Sequence, residues 1–178
     1  MPLSHEEVLT LVLPLFLVQG RIYKKVKHAF LRPAIAGELI QTVVGGQIET
    51  ENIACEGDMV VRADTSFKEE YIVRGEDFHK MYNASRPREI QRTREDAEEL
   101  RRNGFQCYEP TRRVVAIIVD EELAARFPDG KFMGSWGHPV SVQVGDYLVS
   151  GKQDSTGQIL EVLKIHPLAF FETYAIRP

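Results

Sequence analysis

Gly145-Asp146-Tyr147-Leu148-Val149 runs on to Leu160-Glu161-Val162-Leu163 and closes with Phe170-Phe171-Glu172-Thr173-Tyr174. An earlier stretch has the same order. Gly57-Asp58-Met59-Val60-Val61 leads to Glu70-Tyr71-Ile72-Val73, then to Phe78 and Tyr82. The offset is 88 residues at the Gly-Asp pairs and 92 at the closing aromatics. The later stretch therefore carries four extra residues, which fall in the polar run 151–157 and read as a hairpin tip. Gly frees the backbone for a tight turn, and Asp can accept from nearby backbone amides. The apolar residues that follow suit a buried strand, and a second strand after a polar tip makes a hairpin. Phe and Tyr spaced i,i+4 share one face of a short helical turn and can plug the end of a sheet. An ordered set of strand, strand and F-x-x-x-Y points to an internal duplication.

Outward from these stretches the chain divides into four parts. Residues 1–20 form an apolar helix, opened by an S-x-x-E capping box at Ser4 and Glu7 and interrupted by Pro14. Its apolar side chains cover every face, so it must pack on its own domain or on another copy. Leu9, Leu13, Phe16 and Leu17 are the candidates for such a partner interface. Residues 21–84 form a first β module. In it, residues 21–31 read as one strand with an exposed basic edge, and Gly45-Gly46 marks a two-residue hairpin turn. Residues 85–105 hold six arginines and five acids between Arg86 and Arg102 and read as a solvated linker helix capped at Thr93. Residues 106–178 form the second β module, with a strand over 114–119 and a short helix over 121–127. The expected fold class is α+β and β-rich: two related barrel- or roll-like modules, an N-terminal helix and a charged linker helix.

The run G-D-Y-[LIV]-V, a polar turn, a short strand and F-x-x-x-Y resembles a small domain of uncharacterised phage, prophage and bacterial proteins that end in a "PGDYIV…F..TYE" pattern. Residues 145–174 fit best, with Val144 where that pattern has Pro; residues 56–82 fit more loosely. The resemblance covers about a third of the chain. It implies a compact β-rich module and carries no catalytic residues.

Composition narrows the function classes. The chain has 178 residues, 43% hydrophobic and 27% charged, which are globular values. The net charge is −4, and residues 1–90 and 91–178 each carry 11 basic and 13 acidic side chains, so neither half is a basic nucleic-acid domain. Residues 8–18 are too few to span a bilayer, and the acidic residues before them are wrong for a signal peptide. Cys55 and Cys107 stand 52 residues apart, outside any metal-binding spacing. Two such cysteines fit a reducing, cytoplasmic setting, with a bond between them left open.

No common catalytic or nucleotide-binding motif is present. His5, His28, His79, His138 and His166 are scattered, so neither a metal nor a cofactor is expected. Asp58 and Asp146 could act as paired carboxylates, but aspartate after glycine more often shapes a turn. The loop from Met133 to Pro139 holds the single Trp136 beside His138; Trp136 could stack on a ligand or cover the end of a sheet. Arg21, Lys24, Lys25 and Lys27 with Tyr23 read as a solvated edge, with phosphate contact a third possibility. The expected function is a non-enzymatic protein-binding or scaffolding module of phage type, acting on a protein partner or on itself. The alternative is an enzyme or small-ligand binder with Trp136, His138, Asp58 and Asp146 around a cleft between the repeats.

Overall fold

A computed structural model describes residues 1–151 and 158–176. In chain order the elements are α1 (His5–Gln19), β1 (Arg21–Lys25), β2 (Ala29–Pro33), β3 (Leu39–Val44), β4 (Gln47–Ile53), β5 (Met59–Ala63), β6 (Glu70–Val73) and α2 (Gly75–Met81). Then come α3 (Arg94–Arg102), β7 (Gln106–Tyr108), β8 (Arg113–Ile118), α4 (Glu121–Ala124), β9 (Lys131–Met133), β10 (Pro139–Ser141), β11 (Tyr147–Ser150), β12 (Leu163–Ile165), α5 (Pro167–Thr173) and β13 (Tyr174–Ile176). The fold is α+β and rich in antiparallel strands, and no sheet closes into a barrel among the described residues. No described helix is long and apolar enough to cross a membrane.

The chain forms two units, but the breaks differ from those read in the sequence. One unit joins Met1–Lys24 to Arg113–Pro178; the other is Lys25–Arg112. The N-terminal helix is thus built into the same unit as the C-terminal strands. The stretch 21–31 is two strands, not one: β1 belongs to the outer unit and β2 begins the inserted one.

In the outer unit the sheet order is β12-β11-β8-β1-β13. Its central strand β8 is apolar on both faces, as a covered strand must be. Ile117, and Val119 just beyond the strand, join Val8, Val12, Phe16 and Leu148 in a core under α1. Val114 and Ala116 point the other way, into a core with Tyr147, Val149 and Phe170 under α5. The Ser4–Glu7 capping box forms as expected: Ser4 N–H donates to Glu7 Oε2 at 2.7 Å and Glu7 N–H to Ser4 Oγ at 3.3 Å. Pro14 does not divide α1. The bond it forfeits would have gone to Thr10, and both residues lie on the exposed face, where the carbonyl is open to solvent. Gly20 ends the helix through close approach rather than a left-handed backbone: a Cβ there would collide with Phe16 O and lie 2.6 Å from Val115 Cγ2.

In the inserted unit the sheet order is β6-β5-β2-β7. Ala29 and Leu31 of β2 face Tyr82 and Tyr108, while Phe30 faces Ile90, Leu100, Phe105 and Cys107. The charged helix α3 is therefore not a solvated linker. Ala97 and Leu100 are buried and pack on one face of this sheet. β3 and β4 form a separate two-stranded ribbon. Gly45 and Gly46 take φ +58° and +80°, both positive as a type I′ turn requires, so the hairpin expected there forms.

Candidate functional site

The two Gly-Asp pairs make the same turn. Gly57 and Gly145 have φ +86° and +93°, with open space where a Cβ would stand, so the backbone and not crowding demands glycine. Each aspartate is buried, at 4% and 5% exposure, and works on its own turn. Asp58 Oδ2 accepts from Cys55 N–H at 2.9 Å, and Asp146 Oδ2 accepts from Gln143 N–H at 2.9 Å. Asp58 also accepts from Gly75 N–H and the Arg74 guanidinium, while Lys164 Nζ stands 4.0 Å from Asp146. These partners use both carboxylates in holding turns together.

Trp136 is half-buried and packs against the core beneath α1. Its ring lies over Gly134, where a Cβ would come within 2.7 Å of it. Its indole N–H is buried without a partner among the described residues. His138 is exposed, and it is its carbonyl that closes the loop by accepting from Gly134 N–H at 2.9 Å. Within the outer unit, then, Trp136 serves as a wall and Asp146 as a turn, while Asp58 belongs to the inserted unit. Of the residues read as a partner interface, Phe16 is withdrawn into the core and Leu9 and Leu13 pack against it. Leu17 is left outside, 87% exposed. The four-residue insertion at 151–157 lies almost wholly outside the described residues.

The inserted unit contains two features that no motif announced. The first is a half-open cavity of about 550 Å³. Lys27, His28, Asp64, Arg88, Arg92 and Cys107 are among its walls. Asp64 is ion-paired with Arg92 and lies 3.8 Å from Lys27 Nζ, and Arg88 reaches Glu109 at 2.6 Å. The Arg92 guanidinium sits 5.5 Å from the Phe30 ring centroid. Burial pushes the Cys107 thiol above its ordinary pKa, against the pull of Arg92 and Arg88, which is the opposite of what activates a thiol. Both cysteines are free. Among the described residues no three His, Cys, Asp or Glu side chains are grouped to hold a metal ion.

The second feature is the outward face of the β3–β4 ribbon. Leu39 stands opposite Ile53, Gln41 opposite Glu51 and Val43 opposite Ile48. Leu39, Ile48 and Ile53 are 53–60% exposed and Val43 is 38% exposed. Ile40 and Val44 point the other way and are buried. A bulge after Thr42 explains the pattern. It slips the register by one residue, which brings Ile48 onto the same face as Ile53 despite the odd spacing. Alternation in the sequence could not reveal this, because β3 is apolar on both faces.

Lys25 departs from the solvated edge expected of it. It is 6% exposed, and its ammonium donates to the hydroxyls of Tyr71 and Tyr82 at 3.0 Å each. No family, curated protein or solved structure matches the chain.

Proposed function

We propose that this chain is a non-enzymatic binding protein that grips another protein through the outward face of the β3–β4 ribbon. One observation carries the reading: four branched apolar side chains lie together on a face that the core leaves in water. Such patches mark interaction sites when they are contiguous. The surrounding charge says what kind of surface fits. Residues 34–58 contain five acids and no Lys or Arg. Glu38 and Asp58 face Arg32 and Arg74, while the carboxylates of Glu51 and Glu56, with no Lys or Arg near them in sequence, give the ribbon and its exit an acidic border. The partner is therefore an apolar protein surface bordered by Lys and Arg, and added salt weakens its hold. A phage or prophage setting belongs to the same reading, supported by the likeness of residues 145–174 to a domain of such proteins.

A photo-crosslinking residue at position 48 identifies the partner, and titration of that purified protein tests the reading. Ile48→Glu/Ile53→Glu is expected to weaken Kd at least tenfold, about 1.4 kcal/mol, with the circular dichroism spectrum unchanged. Equal affinity for the double variant, or no adduct at position 48, overturns the proposal. An adduct only with a second copy of this chain makes the ribbon a self-association surface instead.

The cavity beside Cys107 favours a second reading. Its walls pair arginines with carboxylates, which suits a small molecule bearing both charges. Binding of that kind would be indifferent to Ile48→Glu/Ile53→Glu and sensitive to Arg92→Ala.

A further inference from the structure

The two sheets share one register. Pro33 of β2 stands opposite Met59, which stands opposite Val73; Ile118 of β8 stands opposite Tyr147, which stands opposite Ile165. Just past the second strand, Ala34 N–H donates to Asp58 O at 2.8 Å, and Val119 N–H donates to Asp146 O at 2.8 Å. α2 and α5 both follow an extended residue and both end where a tyrosine N–H donates to the carbonyl of the phenylalanine four residues earlier, Tyr82 to Phe78 and Tyr174 to Phe170. The strand on the far side agrees as well. Ala29 faces Tyr108 of β7, and Val114 faces Tyr23 of β1. Each of these tyrosines meets the closing phenylalanine edge-on, Tyr108 on Phe78 at 5.2 Å and Tyr23 on Phe170 at 4.8 Å.

Chain order then gives an unexpected result. From β2 to β8 the matched positions differ by 85 residues, as Ala29 and Val114 do. From β1 to β7 they also differ by 85, as Tyr23 and Tyr108 do. By sequence, β1 is the leading strand of the earlier block and β7 that of the later one. By pairing, β1 lies on β8 and β7 lies on β2.

We infer that the chain consists of two equivalent blocks, residues 21–82 and 106–174, that have exchanged their first strands. This is domain swapping within a single chain: the pairings of a closed block are kept, but each leading strand is donated across. Only residues 26–28 and 109–112 separate the donated strands from β2 and β8, so the chain crosses where a short hairpin could have turned back. The link between the blocks holds them at high effective concentration, so the exchange needs no second molecule. Each unit is then built from both blocks, and neither block completes a sheet without the other.

The test uses the full chain with a protease site inserted between Ser85 and Arg86, which are exposed. Cys55→Ser removes the exposed thiol, and Ile22→Cys/Val115→Cys places a thiol pair across β1 and β8. After oxidation and cleavage, the fragments are expected to stay linked on a non-reducing denaturing gel and to part when reduced. Without the added cysteines, the cleaved protein is expected to elute as one particle of the uncut size, close to 20.3 kDa plus the inserted site. Lys24→Cys/Arg113→Cys, an exposed pair on the same two strands, repeats the test if the first pair perturbs folding. Fragments that part without reductant with both cysteine pairs, or that separate on the column under native conditions, overturn the exchange.

Discussion

The outer and inserted units close their sheets with the same short helix but fill the closure differently. In the outer unit three rings stack: Phe170 lies 3.8 Å from Tyr147 and 4.9 Å from Tyr174, with interplanar angles of 7° and 13°. In the inserted unit Met59 stands where Tyr147 does, and the Phe78–Tyr82 centroids are 6.2 Å apart. The space between Tyr71 and Tyr82 there is occupied by the Lys25 ammonium. One closure is an aromatic stack. The other is a hydroxyl-lined seat for a cation. The pairing registers are nonetheless the same, so backbone pairing, and not the filling, specifies this architecture.

Truncating the two plugs should therefore break the units unequally. Phe170 is 1% exposed and packed on several sides, so Phe170→Ala is expected to destabilise by about 4 kcal/mol. Phe78 is only half-buried and touches fewer rings, so Phe78→Ala should lose roughly half as much, about 2 kcal/mol. Urea unfolding followed by fluorescence reads both. Equal losses would mean that the stacked and unstacked closures carry the same load, and the contrast drawn from the ring geometry would fail.

The turn aspartates sharpen the comparison at a smaller scale. Asp58 holds two backbone N–H groups and the Arg74 guanidinium, whereas Asp146 holds one backbone N–H with Lys164 more distant. Asp58→Ala is expected to destabilise by about 2–3 kcal/mol and Asp146→Ala by about 1–2 kcal/mol, since an orphaned buried donor loses its full desolvation. The same unfolding curves measure this. A larger loss at Asp146 would show that the Arg74 contact adds nothing.

What the sequence disclosed was local, and what it concealed was long-range. The capping box at Ser4, the Gly45-Gly46 turn, both Gly-Asp turns and both F-x-x-x-Y helices are set by residues within a few positions of one another. The division into units was hidden because Val26-Lys27-His28 contains neither Gly nor Pro, so 21–31 reads as one strand although its halves join different sheets. The helix α3 and its Thr93 cap were legible, but its packing on the sheet was hidden because only Ala97 and Leu100 among its nine residues are apolar. Two residues are enough to seat a short helix, but too few to stand out against seven charged neighbours. The ribbon's exposed face depended on a bulge, and the cavity on residues spread from 26 to 109; neither leaves a spacing to read.

The smallest effect depends on pH and should fall in one unit only. Arg32 binds Glu38 through two bonds of 2.8 and 2.9 Å, and Ile35 N–H donates to the same carboxylate at 2.7 Å. The guanidinium bonds hold the Glu38 carboxyl below its ordinary 4.5, while partial burial opposes them. A carboxylate with a depressed folded pKa stabilises above the unfolded value and loses that contribution as pH falls through the folded one. The pair is largely buried but not dry, so Glu38→Gln should destabilise by no more than about 1 kcal/mol near pH 7. The difference from the parent should shrink toward zero as pH drops below 4.5. At the matched position in the outer unit Ile117 replaces Arg32, so nothing there can reproduce the effect. Acid should thus loosen the inserted unit through this pair while sparing the matched place in the outer one. Hydrogen exchange on β2 and β8 at pH 7 and pH 3.5 would separate the two, and a gap between variant and parent that persists in acid would assign the stabilisation to packing around Glu38 instead of its charge.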